Sequence, residues 1–358
     1  MRMNYKNFSV ILLCVIFVYL FSIAVINLVV DPFYIFRTPF LKAQAQINDR
    51  HAKIEDLKKE KGKFNLYILG SSRIYSTPPD MVEKYIPSGK GYNLATILAT
   101  ITEHLLHVKY LIKKNGHLVK TLYIGLDIDF CFGIKMHSDQ DYLLKLHPEV
   151  SNTNPIGFYW SYLSILPKGD IKRKLRANFG KKKGPASQFG KDGALALESE
   201  AKNSPIFFED QRIRGNYLIE NKMGRENLDA LRELVALCRQ HDINLILFIT
   251  PYHKVLMDHF EKKEYLLFLR DLSEITPFWD FGGYNSITTD NKNYFDHSHY
   301  NPSVSRLIAA RIFNDTTLTV PRDFGVWVTK KNIDSHLENL KRGFEKNNRL
   351  RNESQSLN

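Results

Sequence analysis

The stretch FNLYILGSSRIY, which runs from Phe64 to Tyr75, decides the fold of this chain. Its apolar first half, ending at Leu69, has the length and composition of a short buried strand. A glycine and two adjacent serines, Ser71 and Ser72, follow at once. Two hydroxyls at the point where a buried strand surfaces indicate either a helix cap or a nucleophile.

Strand-like and helical segments alternate downstream of this stretch. Gly91–Ala95 is a short apolar run, and ITEHLLHVKYLIKKNG has apolar residues at helical spacing and ends at Gly116 as a C-cap would. The remaining segments of the pattern are, in chain order, LVKTLYIGLDIDF, ENLDALRELVALCRQH, DINLILFITP, FWDFGGYNSIT and NPSVSRLIAARIF. In the last of these, Asn301 suits an N-cap and Pro302 suits the first helical position.

This alternation predicts an α/β fold whose mostly parallel sheet is sandwiched by helices. In such sheets, functional groups collect at the carboxyl ends of the strands. The residues that follow Leu69, the segment GLDID and the segment after Phe281 each lie at such an end. We therefore expect any reactive site to be assembled from these three places.

The N-terminal run Phe8–Val30 contains no charged residue and is long enough to cross a hydrocarbon core of about 30 Å. A cleaved signal peptide is the alternative, but its apolar region would be about 7–15 residues and would precede a small-residue cleavage site. Arg2 and Lys6 precede the run, and Arg37 and Lys42 follow it, so charge barely decides its orientation. The very short N-terminal arm favours a single-pass anchor with an inside N-terminus and an extracytoplasmic main domain.

The chain divides into five predicted segments. They are a short cytoplasmic arm at 1–7, a transmembrane anchor at 8–30, a juxtamembrane linker at 31–63, an α/β domain at 64–320 and a basic C-terminal helix or tail at 321–358. A basic, glycine-rich insertion at about 133–205 predicts a mobile loop or an inserted cap. In the linker, the composition of DRHAKIEDLKKEKGK predicts a solvated helix or linker. The composition of the tail predicts a helix with a solvated face, which could also rest on anionic lipid or polymer.

Composition and charge narrow the class of protein. The chain has 358 residues, is 44% hydrophobic and 25% charged, and carries a formal net charge of +12. A positive charge of this size favours binding to nucleic acid or to an anionic surface. If the main domain is extracytoplasmic, as expected, nucleic acid is excluded as a partner. Three cysteines do not form a disulfide framework, and we expect Cys14, Cys131 and Cys238 to act as small apolar side chains.

The segment NYFDHSHYNP supplies the partners that a serine nucleophile needs. Asp296 and His299 are three residues apart, just before the last predicted helix, so a tight turn would place both side chains on the same side. His299 could then take a proton from Ser72 while Asp296 orients the imidazole. A surface pair or a capping arrangement is the alternative. No third ligand motif accompanies HSH, so we expect no metal and no cofactor.

A serine after the first strand and an Asp-x-x-His before the last helix resemble the SGNH (GDSL-type) hydrolase superfamily. That family's first block, Gly-Asp-Ser, corresponds to Gly70-Ser71-Ser72, and its last block corresponds to Asp296–His299. The resemblance is greatest to the membrane-anchored bacterial branch that serves cell-envelope acylation, such as the D-alanine transfer protein and the alginate O-acetylation proteins. It implies a flavodoxin-like three-layer fold and makes Ser72, His299 and Asp296 the catalytic residues.

Two family blocks differ in this chain. The second block supplies an oxyanion-hole glycine, yet YNLATILAT has none after Asn93, and the asparagine of the third block is replaced by Asp127. An ionised carboxylate cannot donate a hydrogen bond to an oxyanion. The candidate donors are Asn93, the Ser72 backbone N–H and Arg73. Arg73 could instead bind an anionic substrate group, neutralise Asp127 or form a surface salt bridge.

Two more places are candidates for substrate contact. Tyr252 and His253 follow a predicted buried strand, so they either line the pocket or position a loop. Asn285 and Ser286 lie in the loop that leads toward Asp296 and are weaker candidates.

The resemblance implies a membrane-anchored serine esterase or O-acyltransferase that acts on acyl groups of a cell-envelope glycan or polymer. Its expected location is the bacterial cytoplasmic membrane, with the main domain in the periplasm or outside the cell. The alternative is a catalytically inactive accessory protein of the same fold. Such a protein would bind an envelope glycan or a multi-spanning membrane acyltransferase.

Overall fold

The computed structural model describes residues 5–60, 62–129, 131–132, 136–138, 140–180, 189–194 and 225–356. These residues form two compact units. Unit 1 combines the described parts of 1–59 and 137–188, and unit 2 combines those of 60–136 and 189–358.

Unit 2 contains the sheet. Its strands are β1 (Leu66–Leu69), β2 (Gly91–Asn93), β3 (Thr121–Leu126), β4 (Asn244–Ile249), β5 (Phe278–Asp280) and β6 (Val326–Val328). Its α-helices are α3 (Asp80–Glu83), α4 (Ile101–Asn115), α8 (Arg225–Gln240), α9 (Lys254–His259), α10 (Lys262–Ile275), α11 (Pro302–Ile312) and α12 (Ile333–Ser356).

The sheet order is β2-β1-β3-β4-β5-β6, and every neighbouring pair is parallel except β5 with β6. The predicted α/β fold with a mostly parallel sheet is therefore confirmed. Strands β1 and β3 are buried along their whole length, as central parallel strands require. Parallel pairing places the carboxyl ends of β1, β3 and β4 at one edge, which is where Ser72, Asp127 and Tyr252 follow their strands.

Local signals set the helix ends in unit 2. Thr100 caps α4 and forms a capping box with Glu103, and Gly116 is the C-cap residue, as the spacing predicts. Asn301 occupies the N-cap position of α11 without a side-chain cap bond, and Pro302 follows it at the first helical position.

The C-terminal tail differs from the sequence prediction. It contains β6, which the sequence did not indicate, and α12, whose residues Ile333, Leu337 and Phe344 are buried. His336 Nε2 lies 2.7 Å from the Asp280 carboxylate at the end of β5. The prediction of a simply solvated face is wrong for this side of the helix, because an apolar stripe at helical spacing packs on unit 2.

Unit 1 consists of the helices α1 (Tyr5–Val30), α2 (Asp49–Lys59), α5 (Pro148–Ser151), α6 (Pro155–Leu163) and α7 (Lys168–Phe179). The segment predicted to be a solvated helix or linker is helical in α2, but the prediction of solvation is wrong, because the residues from Asp49 to Ile54 are all buried. Asn48 fixes the start of α2: its side chain accepts the His51 N–H and donates to the Tyr162 hydroxyl at 2.9 Å.

The predicted insertion at 133–205 is helical where α5, α6 and α7 lie, so the loop alternative is wrong for those segments. Residues 133–135, 139, 181–188 and 195–205 of the insertion lie outside the described part of the chain. Phe158 and Tyr162 of α6 pack with Phe33 and Ile35 in an aromatic cluster of unit 1. The insertion therefore shares a core with the segment that follows α1.

Helix α1 is long and apolar enough to cross a membrane. Its buried residues, Ile23, Asn27 and Val30, are confined to its last two turns and share one face. In the turns of α1 before Ile23, no side of the helix is covered by other residues that the structure describes. The apolar side chains there are exposed on every side. That pattern is typical of a helix whose environment is lipid rather than protein.

Candidate active site

The structure brings Ser72, His299 and Asp296 together. His299 Nε2 lies 2.9 Å from Ser72 Oγ, and His299 Nδ1 lies 2.8 Å from Asp296 Oδ2. Ser72 stands in the turn after β1, whereas the other two residues lie in the loop before α11, so 227 residues of sequence separate nucleophile and base. Because the Asp296 carboxylate accepts from Nδ1–H, Nε2 is left as the acceptor for the serine hydroxyl.

A tight turn brings the side chains of Asp296 and His299 together. The Asp296 carboxylate accepts hydrogen bonds from the backbone N–H groups of Ser298 and His299, both at 2.7 Å. Phe295 N–H donates to the His299 carbonyl, and a bridge between Tyr294 and Tyr300 closes the turn. The predicted geometry, with both side chains on one side, follows from these bonds.

Asp296 is held ionised. Burial opposes its ionisation, but hydrogen bonds from the His299 ring and from two backbone N–H groups outweigh burial and lower its pKa to about 2. The side chain of His299 is 39% exposed. A charged carboxylate therefore sits behind an imidazole that a substrate can reach, which suits stabilisation of a transient imidazolium.

Gly70 allows the turn that carries Ser72. A Cβ atom at this position would overlap the Ile74 side chain and lie 3.0 Å from the Gly125 carbonyl oxygen. The Gly70 carbonyl accepts the Thr96 N–H at 3.0 Å, which ties the turn to the segment after β2. The glycine is thus required by close packing at the end of β1.

Arg73, Asp127 and Asp129 form a buried charge cluster beside the nucleophile. Arg73 makes a bidentate pair with Asp129, at 2.9 and 2.7 Å, and its Nη1 lies 3.0 Å from Asp127. The face of Tyr252 covers the guanidinium at 4.5 Å, and the Ser71 hydroxyl donates to Asp127. Of the predicted roles for Arg73, neutralising Asp127 is the one that these contacts support, because all three charged side chains are at most 5% exposed.

The same arginine joins the two halves of the site. Its Nε donates to the Ser298 carbonyl at 3.1 Å, and its Nη2 donates to Ser298 Oγ at 2.6 Å. Arg73 follows Ser72 in sequence and Ser298 precedes His299, so one guanidinium fixes the distance between nucleophile and base. Ser298, Asp129 and Thr250, whose hydroxyl donates to Asp127, were not predicted from sequence. The available signal was the pair of carboxylates, Asp127 and Asp129, in the segment GLDID that ends β3.

Asn93 is committed to the backbone of the nucleophile loop. Its Nδ2 donates to the carbonyls of Ile74 and Thr77, at 3.0 and 2.8 Å, and its Oδ1 accepts the Ala95 N–H at 3.0 Å. The side chain is fully buried. These contacts hold the loop in place and correct the prediction of an oxyanion donor.

Tyr252 and His253 do not line an open pocket, because both are fully buried. The Tyr252 hydroxyl accepts the Ile128 N–H and lies 3.3 Å from Asp129. His253 caps α9, and its Nε2 lies 2.9 Å from Asn291 Oδ1. Burial lowers the pKa of His253 to about 4, against the opposing hydrogen bond with Asn291. Both residues position loops, which was the alternative prediction.

Asn285 and Ser286 also have structural partners. The Asn285 side chain accepts the N–H groups of Ile287 and Thr288, and Ser286 donates to the Asp323 carboxylate at 2.7 Å. Of the predicted oxyanion donors, the backbone N–H of Ser72 is the one for which the described part of the chain shows no hydrogen bond.

Among the described residues, one group has metal-ligand character: His51, Glu55 and His147, whose ligand atoms lie within 4.8 Å of one another. His147 Nδ1 accepts the Glu149 N–H, so its Nε2–H donates to Glu55 at 2.9 Å. The Lys58 ammonium lies 2.7 Å from the same carboxylate. Internal hydrogen bonds and a lysine therefore occupy this group, and we assign no metal to it.

Burial of His51 in this group predicts that the protein loses stability in acid. Burial, together with the neighbouring His147, lowers the pKa of His51 to about 3, while Glu55 opposes the shift and Arg37 and Lys58 add to it. Because the pKa of His51 is lower in the folded state than in the unfolded state, the unfolded state binds a proton first as pH falls below about 6.5. The free energy of unfolding therefore decreases between about pH 6.5 and 3, by about 2 kcal/mol at pH 5. Hydrogen-exchange protection of α2, corrected for intrinsic exchange, should fall accordingly.

A matched pair of variants checks that prediction. His51→Phe keeps a ring that stacks on Phe158 and should flatten the decrease between pH 6.5 and 5. His117→Phe, at an exposed position, should leave it unchanged. An unaltered slope in His51→Phe would contradict the assignment.

Fold and site together define an α/β protein with a hydrogen-bonded Ser–His–Asp arrangement at the carboxyl edge of its sheet. No family model matches the chain, and no curated protein matches it significantly.

Proposed function

We propose that the chain is a membrane-anchored serine esterase or O-acyltransferase of the SGNH type, with the three-layer fold of that superfamily. The observation that carries this proposal is the hydrogen-bonded chain from Ser72 Oγ through His299 to Asp296, with links of 2.9 and 2.8 Å. Both distances lie within the range that a nucleophile and its general base require. The substrate class, acyl groups of a cell-envelope glycan or polymer, comes from the family resemblance.

The mechanism follows from the positions of the protons. Ser72 Oγ attacks the acyl carbonyl carbon while His299 Nε2 takes the hydroxyl proton, and Asp296 stabilises the resulting imidazolium. Collapse of the tetrahedral intermediate breaks the ester bond, and His299 returns the proton to the leaving alcohol. An acyl-serine remains, and water or a sugar hydroxyl attacks it with the same base. The acceptor decides between hydrolysis and transfer.

The proposed location follows from α1. The helix is long and apolar enough to span a membrane. We place the main domain in the periplasm or outside a bacterial cytoplasmic membrane, where a multi-spanning acyltransferase could be its partner. A C-terminal reporter fusion tests this, because a cytoplasmic reporter would reopen the nucleic-acid alternative.

A second candidate function is an accessory binding protein of the same fold. The observation that favours it is that Asn93, Arg73 and Asp127 are all committed to internal bonds. The Ser72 N–H remains as the donor, and loss of one oxyanion donor typically costs about 2.7–4 kcal/mol of transition-state stabilisation. The accessory protein would bind acylated glycan or the acyltransferase without turnover.

A fluorophosphonate probe distinguishes the two functions. The enzyme predicts covalent labelling of the full-length protein in detergent, and no labelling of Ser72→Ala. Absence of labelling in the folded wild type would favour the binding protein. Loss of labelling after heat denaturation is the control for nonspecific reaction.

Asp296→Asn is expected to lower the rate at which Ser72 Oγ displaces fluoride from the probe by about 10⁴-fold, because an amide fixes the wrong imidazole tautomer. The labelling rate constant with the same probe measures this effect. Asp290→Asn is the matched control, since Asp290 is an exposed cap in the same loop. Equal rates for Asp296→Asn and the wild type would remove Asp296 from the mechanism.

A further inference from the structure

Helices α6 and α7 of unit 1 both pack against α1. The buried residues of α1 lie in its last two turns, and Asn27 there donates to the carbonyls of Leu163 and Ile165, at 3.2 and 2.5 Å. These two bonds fix the connection between α6 and α7 to the end of α1. The two helices are thus held beside the last two turns of α1, near Asn27.

This position along α1 corresponds to a membrane surface. The uncharged run of α1 begins at Phe8, and at about 1.5 Å per residue it reaches a depth of about 30 Å close to Asn27. A hydrocarbon core crossed by α1 would therefore end where α6 and α7 begin. This step depends on the proposed insertion of α1.

Helix α7 has two chemically different sides. One side is held by unit 1: Lys174 is fully buried and bonds to Gln44, and Asn178 donates to the Ala43 carbonyl at 2.9 Å. The other side faces a groove of about 590 Å³ that is lined by Ile26, Leu166, Lys168, Ile171, Lys172, Leu175, Arg176 and Phe179. The α7 residues among them recur every three or four positions, which is one helical face.

This face combines large exposed apolar side chains with positive charge. Phe179 on this face is 76% exposed. Helix α6, which also packs against α1, exposes Ile156 and Trp160, at 78% and 59%. Lys168, Lys172 and Arg176 alternate with the apolar residues of α7. Aromatic and aliphatic side chains flanked by Lys and Arg are the composition of helices that lie in a membrane interface.

We infer that α6 and α7 form a lipid-binding face that rests in the membrane surface around α1. Trp160, Leu175 and Phe179 enter the boundary between head groups and acyl chains. Lys168, Lys172 and Arg176 keep their charged ends at the phosphates of anionic phospholipids. The occupant is the bilayer, because the groove is continuous with α1 through Ile26 and the charge on the face is positive.

Tryptophan quenching by brominated lipids tests this inference with the full-length protein in vesicles that contain phosphatidylglycerol. The chain has three tryptophans, and Trp327 on β6 is 45% exposed. We expect lipid quenching in the wild type, its loss in Trp160→Phe and its persistence in Trp327→Phe. Equal quenching of the wild type and Trp160→Phe would overturn the inference.

Two triple variants test the contribution of the basic side chains to lipid binding. Replacing Lys168, Lys172 and Arg176 by glutamine should remove the part of the quenching that phosphatidylglycerol adds over phosphatidylcholine. Replacing Lys330, Lys331 and Lys341 near the C-terminus, which are also exposed, should leave it unchanged. An effect confined to the C-terminal variant would assign anionic lipid to the tail and overturn the inference.

An alkaline wash separates this inference from the proposed anchor. A chain released from the vesicles by the wash would overturn both the anchor and the lipid-binding face. A chain that resists the wash, but whose Trp160 is not quenched, would overturn the lipid-binding face alone.

Discussion

Ser72→Ala is expected to lower the rate of ester hydrolysis by about 10⁴-fold or more, since it removes the nucleophile while leaving the binding site intact. The loss should appear in kcat, because alanine fits where the hydroxyl now lies 2.9 Å from His299 Nε2. Initial rates with p-nitrophenyl acetate, measured on the full-length protein in detergent, check this result.

Ser71→Ala is the matched control for that experiment. The two serines are adjacent, but Ser71 donates to the buried Asp127 carboxylate and takes no part in the chain to His299. We expect this variant to lose some stability and to keep the activity of its folded fraction within an order of magnitude. An inactive, folded Ser71→Ala beside an active Ser72→Ala would reverse the assignment of the nucleophile.

Arg73→Ala is expected to be the most destabilising single substitution near the site, by about 3–5 kcal/mol, because it leaves the buried carboxylates of Asp127 and Asp129 without their cation. Hydrogen-exchange protection of β1 and β3 measures the loss locally. Activity should fall even in the folded fraction, since the link to Ser298 is cut.

A neutralised variant separates charge from packing. Arg73→Met combined with Asp127→Asn and Asp129→Asn removes all three charges, so it should recover much of the stability but not the bond to Ser298. Lys330→Ala, which removes one exposed salt bridge with Glu274, should cost no more than about 1 kcal/mol. Equal stability of Arg73→Ala and the wild type would contradict the buried cluster.

Sequence periodicity was sufficient for the five parallel strands, β1 to β5, and for the two ends of the site. The buried strands are short apolar runs, and their parallel order follows from the helices between them. The Asp296–His299 contact was predictable because it is local and set by one turn. Ser72 could be paired with His299 because their segments follow strands of a parallel sheet and because the order of the two motifs resembles that of a known family.

Buried polar groups could not be predicted in the same way. Arg73, Arg50 and Lys53 look like surface residues in sequence, yet each is at most 2% exposed. The burial of Arg73 depends on a partner distant in sequence, Asp129, and no periodic pattern encodes such a partner. The same limit explains why α2 was expected to be solvated and why Asn93 was expected to face an oxyanion.

β6 was missed for a different reason. Val326–Val328 is three residues long and pairs antiparallel with β5 at an edge of the sheet. A run of that length carries too little alternation to be recognised as a strand. Its position is set by tertiary packing, since Trp327 lies against Trp279 with ring centroids 5.4 Å apart.

Trapping of the acyl-enzyme tests the central claim most directly. The full-length protein is mixed with p-nitrophenyl acetate, quenched in acid and digested, and the acetylated peptide is identified by mass spectrometry. The account predicts an acetyl group on Ser72 in the wild type and none in His299→Ala. Acetylation of a different residue, or of Ser72 to the same extent without His299, would contradict it.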